Sequence, residues 1–314
     1  MKMKKIAALA LGMVMTTALL TGCASTEETT TTTQEVTTAE TSNGSSSDDS
    51  TEAETQTASG LITVLTREDG SGTRGAFTEI TGVHDGENDH TTVEASVQDS
   101  TGKVMTAVAS DPQAIGYISL GSFNDTVKAI AVEGVYPTVE SILDGTYAVA
   151  RPFYIATVKD TTLDPVTEEF LTYLFTQEAQ DVVAEEGCVP VEVTTTEFVS
   201  EQPIGTITIG GSTSVYPVME VLVEHYRVLN PNATINIEGV GSSAGMNGAM
   251  EGTFHIGMAS RDMKDSELET LTGYVLAKDG IAMIVNTQNP TDNLTVEQIK
   301  SIYTGEVTDY SELN

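Results

Sequence analysis

With 46 Asp and Glu against 14 Lys and Arg in 314 residues, the chain carries a formal charge of −32. That balance argues against a nucleic-acid partner, because binding a phosphate backbone needs clustered Lys and Arg to release counterions. Two cysteines are too few for a disulfide scaffold, and a protein this acidic must hold any anion by short-range hydrogen bonds inside a cleft.

In chain order, Lys2, Lys4 and Lys5 precede an apolar run from Ile6 to Leu20. The run is too short and wrongly flanked for a membrane span and has the layout of an export signal over residues 1–22. Leu20-Thr21-Gly22-Cys23 closes it and resembles the bacterial lipoprotein signal, which implies that Cys23 is lipidated and becomes the mature N-terminus. Several acyl chains on one residue give firm anchoring to a membrane. Residues 23–59 are almost wholly Thr, Ser, Glu, Asp, Gln, Ala and Gly after the cysteine. Such a segment cannot bury enough apolar surface to offset chain entropy and is expected to be a disordered tether. Cys188 is expected to pack as a lone small apolar side chain.

The residues after Ser59 are enough for two lobes. Strand-like segments at 61–65, 114–118, 206–209 and 234–238 alternate with helix-like segments at 75–80, 103–109, 166–186, 218–229, 244–250 and 296–302. Pro217 sits at the first turn of one helix, where proline is tolerated. The alternation indicates α/β architecture with ligand sites at the loops after strands.

Three Gly/Ser-rich turns each feed a helix: Gly70-Ser71-Gly72-Thr73, Gly211-Ser212-Thr213-Ser214 and Gly241-Ser242-Ser243. A helix start exposes unpaired N–H groups and a partial positive charge, and glycine lets an anion approach them. Ser71 and Thr73 add hydroxyls, and Arg67 offers a bidentate charged fork. As letters, Gly70-x-Gly72-x-x-Gly75 also satisfies the dinucleotide fingerprint, which leaves a nucleotide-dependent enzyme as an alternative. His84 and His90 share an acidic loop with Asp85, Glu87 and Asp89, whose spacing fits no closed metal site.

Five segments together resemble the phosphate-binding lipoprotein of bacterial phosphate ABC transporters. They are Arg67 to Arg74, Gly211 to Pro217, Glu238 to Gly245, Ile256 to Arg261 and Ala277 to Ala282. The resemblance implies a type II periplasmic-binding-protein-like Venus flytrap: two α/β lobes joined by crossing strands, here near 145–155 and 273–286. In the family the Gly-Ser-Thr segment opens the mature chain, whereas here residues 60–199 are similar to the family's second half and 204–314 to its first. A circularly permuted fold is therefore expected, with a split lobe of 60–150 plus 276–314 and a continuous lobe of 151–275; a fragment of a longer tandem protein is the competing reading.

Position by position, the resemblance implies phosphate contacts from Arg67, Ser71, Gly72 and Thr73 on one lobe and from Thr213, Ser214 and Ser242 on the other. Asp69 is the acid expected to hold Arg67. Many family members place an Asp directly after the Ile-Gly-x-x-Ser run, where it accepts the proton of hydrogen phosphate and repels sulfate. Here the row reads Ser260-Arg261-Asp262, so Ser260 and Arg261 are expected to meet the anion, with Asp262 either the proton acceptor or a partner for Arg261. The implied function is capture of inorganic phosphate without chemistry, and delivery by a monomer to membrane-embedded permease subunits, with no cofactor and no metal. A surface signalling or adhesion protein that kept the fold without the site is the remaining alternative.

Overall fold

Strands with a Gly/Ser turn at their carboxyl end, each followed by a helix, recur twice along the chain and set its architecture. The computed structural model describes residues 59–195 and 197–313. The export signal, Cys23 and, up to residue 58, the expected tether lie outside the described residues. The first recurrence is β1 (Thr63–Arg67), α1 (Gly72–Thr81), β2 (Ser96–Gln98), α2 (Thr101–Ser110) and β3 (Ala114–Ser119). Next come β4 (Lys128–Ala129), β5 (Ala131–Val132), α3 (Val139–Leu143), β6 (Ala150–Val158), α4 (Pro165–Leu174), α5 (Gln177–Glu185) and β7 (Val189–Pro190). The second recurrence is β8 (Gly205–Gly211), α6 (Tyr216–Leu229), β9 (Ala233–Gly239), α7 (Ser242–Met250) and β10 (Ile256–Ala259). It is followed by α8 (Asp265–Leu268), β11 (Leu271–Val285), β12 (Asn293–Leu294) and α9 (Val296–Thr304).

Each recurrence forms a parallel three-stranded unit with the same order: β2-β1-β3 in one, β9-β8-β10 in the other. In an open sheet of this kind the crevice for a ligand lies beyond the carboxyl ends of the strands, where the order reverses. β11 and β6 join the two units into one continuous path, β2-β1-β3-β11-β6-β10-β8-β9, and are antiparallel to their neighbours.

Two apolar cores flank this pair of linking strands. One gathers Phe77, Ile115, Tyr117, Ile281, Met283, Ile302 and Tyr303. The other gathers Phe153, Ile155, Phe170, Ile207, Ile209, Leu222 and Tyr226. Burying each such side chain is worth about 1.5–3 kcal/mol. Ile207 and Ile209 are buried while Thr206 is exposed, as the alternation in that segment predicts. In α6 the buried residues Val218, Met219, Leu222, Val223 and Tyr226 form the 3.6-period stripe that turns one face to the core.

The helices differ from their sequence-based limits in an informative way. α1, α2 and α7 begin at Gly72, Thr101 and Ser242, two or three residues before the expected starts at 75, 103 and 244. Ser71 and Ser100 cap α1 and α2 by accepting from the Arg74 and Lys103 N–H groups. Hydroxyl residues are thereby placed in first turns, where N–H groups lack intrahelical acceptors. The segment 166–186, helical in spacing throughout, breaks at Phe175 and Thr176, because Thr176 leaves the helical path and caps α5 through Ala179 N–H.

Gly211 ends β8 with φ +150, and a Cβ there would lie 2.1 Å from the Met258 carbonyl oxygen. Replacing Gly211 by Ala is expected to destabilise the fold by about 1–3 kcal/mol or more, read as a lower urea midpoint. Gly102→Ala serves as its control, since nothing lies within 4 Å of a Cβ at that helical position.

Candidate functional site

β1 delivers Arg67 to the boundary between the two parallel units, and the turn after it brings Ser71, Gly72 and Thr73 to the start of α1. From the other unit, the turn after β8 brings Ser212, Thr213 and Ser214, while Ser242 opens α7 and Ser260 follows β10. These groups meet. Arg67 Nη2 donates to Thr213 Oγ1 at 3.0 Å, and the Thr73 and Ser214 hydroxyls are 2.9 Å apart. Ser243 N–H donates to the Gly70 carbonyl at 3.1 Å. A Cβ on Gly72 would lie 2.3 Å from Ser242 Oγ and 2.9 Å from Ser260 Oγ, so only glycine permits this approach.

Arg67 is 2% exposed, and a buried guanidinium needs its charge and donors matched. Glu68 supplies both oxygens, accepting from Nε at 2.7 Å and from Nη2 at 2.8 Å. Nη1 donates to Thr101 Oγ1 at 3.2 Å. Four of the five N–H donors that a guanidinium carries thus have partners among the described residues. The Arg67 backbone is pinned as well, its N–H donating to the Tyr117 hydroxyl at 3.2 Å.

Asp69 does not hold Arg67, contrary to expectation. Its side chain is 99% exposed and pairs with Arg74 at 2.9 Å. The strand ends at Arg67, so Glu68 is released from the strand's alternation and folds back along the guanidinium, while Asp69 lies in the turn beyond. Arg74 also pairs with Asp89, and its Nη1 donates to the Arg67 carbonyl.

The Asp262 carboxylate is not the partner of Arg261; Glu267 is. The Arg261 guanidinium forms a bidentate pair with Glu267, at 2.9 and 2.7 Å, at the rim beside Ser243. Burial by itself would raise the Glu267 carboxyl, but hydrogen bonds from Arg261 and the Lys264 N–H leave it below the ordinary carboxylate range. Asp262 is exposed, and Arg261 meets its backbone carbonyl rather than its carboxylate. Arg261 Nη2 also meets the Ser243 hydroxyl, at 3.5 Å.

Ser260 lies in the hydroxyl cluster. Its Oγ accepts from Ser212 Oγ at 2.9 Å, and its N–H donates to Ser242 Oγ at 3.1 Å. Two members of the cluster were missed by the sequence reading. Thr101 lies 3.1 Å from Ser214 Oγ and 3.4 Å from Thr213 Oγ1. Ser212 caps the turn into α6 by accepting from the Ser214 and Val215 N–H groups. The signal for Thr101 was present: Ser100-Thr101-Gly102 is a further hydroxyl-glycine turn between a strand and a helix. A cavity of about 730 Å³ lined by Thr101, Met105, Phe123, Thr213 and Pro217 opens beside the cluster.

In chemical terms the arrangement is a set of hydroxyls that both donate and accept, four helix starts (α1, α2, α6 and α7) and the charge-paired Arg67 guanidinium. That set suits a small oxyanion. The hydroxyls bond to one another and to Arg67, and the buried Ser71 Oγ accepts from Arg74 N–H. The Gly70–Gly75 turn is covered by Ser242, Ser243 and Ser260 of the other unit, an enclosure that fits a small anion better than a dinucleotide. In the acidic loop, His90 pairs with Asp85 at 2.7 Å. Cys188 is buried, and burial pushes its thiol well above the ordinary range.

A family model described as a PBP superfamily domain matches residues 22–178 and 196–313. The chain is 40% identical over 265 residues to phosphate-binding protein PstS 2 of Streptococcus pneumoniae, covering 83% of this chain and 90% of that protein. It is 38% identical over 266 residues to PstS 2 of Streptococcus agalactiae, covering 83% of this chain and 90% of that one. Among solved structures, a phosphate-binding protein of a phosphate ABC transporter from Streptococcus pneumoniae TIGR4 matches with a TM-score of 0.65 and 39% identity. That match covers 81% of this chain and all of the other. With donors from both parallel units converging at one crevice and likeness of this extent, the chain belongs to the PBP superfamily and, within it, to the phosphate-binding proteins of ABC transporters.

Proposed function

We propose that this chain captures inorganic phosphate between its two halves and presents it to membrane-embedded ABC permease subunits, with no chemical step on the ligand. The observation that carries the reading is the direct meeting of Arg67 with Thr213 and of Thr73 with Ser214. An anion entering there replaces bonds between hydroxyls with bonds to its own oxygens and favours the closed state by contacts to both walls. Ser71, Gly72, Thr73, Ser242 and Ser260 complete its surroundings, and Thr101 and Ser212 join them.

The two lobes in this reading are 60–150 plus 276–314 and 151–275, with β6 and β11 as the crossing strands. This division is supported by the two apolar cores on either side of those strands. Circular permutation is part of the proposal. Ile62 N–H donates to the Thr308 carbonyl and Tyr310 N–H to the Gly60 carbonyl, so segments far apart in sequence are adjacent, as a re-joined chain requires. Working at the extracytoplasmic face, as a monomer anchored through lipid on Cys23, completes the reading. No helix among the described residues is long and apolar enough to cross a membrane.

Titration calorimetry of the full chain with phosphate, arsenate and sulfate tests the assignment. Phosphate at ~100 times its Kd is expected to stabilise the fold by about 2.7 kcal/mol. No heat and no stabilisation with any of the three anions would overturn it.

A further inference from the structure

An arginine and an aspartate are buried where the two cores meet, away from the contacts described so far. Arg151 on β6 and Asp279 on β11 are register partners, and their side chains are 1% and 0% exposed. Two residues along these strands in one direction lie Val149 and Ile281, which belong to the first core; two in the other lie Phe153 and Ala277, which belong to the second. The pair therefore occupies the crossing point itself.

Its hydrogen bonds reach into both halves. Asp279 Oδ2 accepts from Arg151 Nε at 3.2 Å and Nη2 at 3.0 Å. Asp279 Oδ1 accepts from Ser119 Oγ at 2.8 Å and from Gly121 N–H at 3.4 Å, at and just beyond the end of β3. Arg151 Nη1 donates to the Ser260 carbonyl at 3.0 Å. Ser260 in turn bonds to Ser212 and Ser242. A bonded path thus runs from β3, across both linking strands, into the hydroxyl cluster.

Stability alone is a poor reason for this pair. Replacing a buried ion pair by well-packed apolar groups is often neutral or stabilising, because desolvation offsets the attraction. Burial here pushes the Asp279 carboxyl above its ordinary range despite Arg151 beside it. What an ion pair supplies that apolar groups do not is direction. The Arg151 fork has three fixed bonds, and its central carbon lies 5.5 Å from the centre of the Phe153 ring.

We propose that Arg151 is a positioning residue for anion capture: oriented by Asp279, it holds the Ser260 carbonyl and so sets the Ser212, Ser242 and Ser260 hydroxyls for the ligand. This rests on the phosphate reading above. A lysine at 151 would keep the charge but lacks the planar fork that serves Asp279 and Ser260 together. Removing both charges together avoids leaving one of them buried alone.

The test measures the Kd for inorganic phosphate and the unfolding midpoint of the full chain as wild type, Arg151→Lys, Arg151→Met/Asp279→Asn, and Phe170→Leu as a core control off the path. Both Arg151 variants are expected to bind phosphate at least ~10-fold more weakly, while Phe170→Leu loses stability and keeps its Kd. Wild-type affinity in Arg151→Lys or in the double variant overturns the proposal. So does an equal affinity loss in Phe170→Leu, which would trace the effect to stability alone. Should the double variant not fold, Arg151→Lys decides. A wild-type chain that takes up no phosphate overturns the phosphate reading itself, a result distinct from normal binding in the variants.

Discussion

Replacing Arg67 by Ala is expected to weaken phosphate binding by roughly 30-fold to several-thousand-fold. The range is that of truncating one partner of a buried, hydrogen-bonded charge pair, about 2–5 kcal/mol, at 1.4 kcal/mol per factor of ten. Two effects combine. The anion loses the guanidinium that bonds to the Thr101 and Thr213 hydroxyls, and Glu68, whose two oxygens both accept from Arg67, is left as an unopposed negative charge at the site. Arg67→Ala combined with Glu68→Gln separates them: part of the affinity returns if repulsion by Glu68 contributes, and the remaining loss is that of the donor itself. Asp69→Asn serves as the contrasting variant, since Asp69 points to Arg74 and solvent, and its Kd is expected to stay within about twofold of wild type, as for surface substitutions of less than ~0.5 kcal/mol. A Kd unchanged by Arg67→Ala in calorimetry would reject the pocket.

Gly72→Ala is expected to separate closure from folding. Gly72 opens α1, where Ala is intrinsically favoured over Gly by up to ~1 kcal/mol, so the unfolding midpoint should hold or rise. Across the crevice, however, the new Cβ would lie 2.3 Å from Ser242 Oγ and 2.9 Å from Ser260 Oγ. Both contacts are with the opposite wall, so the strain falls on the closed state. At the ~1–3 kcal/mol typical of overpacking, affinity should fall by roughly 5- to 150-fold, and scattering of the phosphate-loaded protein should report a larger radius. An unchanged Kd with an unchanged radius would show that the walls meet less closely than described.

Much of the architecture was legible because the patterns that encode it are local. The Thr206–Ile209 alternation and the Val218–Tyr226 stripe each depend on which face of one element is apolar. The hydroxyl-glycine turns were legible for the same reason, since capping and anion binding use the same exposed N–H groups. The break at Phe175–Thr176 was not, because apolar spacing carries through a capping threonine without a change of period.

What the sequence determined by itself, then, is the kind of site: helix starts furnished with Ser, Thr and Gly, an arginine at a strand end, and a resemblance that joins them. What only the tertiary structure decided is who partners whom. Glu68 rather than Asp69 holds Arg67, Glu267 rather than Asp262 pairs with Arg261, Thr101 enters the hydroxyl cluster, and Arg151 meets Asp279 at the crossing strands. The physical reason is that an arginine beside several acids in sequence can reach more than one of them, and strand register and burial choose. Residues 67 and 213, or 151 and 260, are neighbours only once β11 and β6 have linked the two parallel units through a continuous path of paired strands.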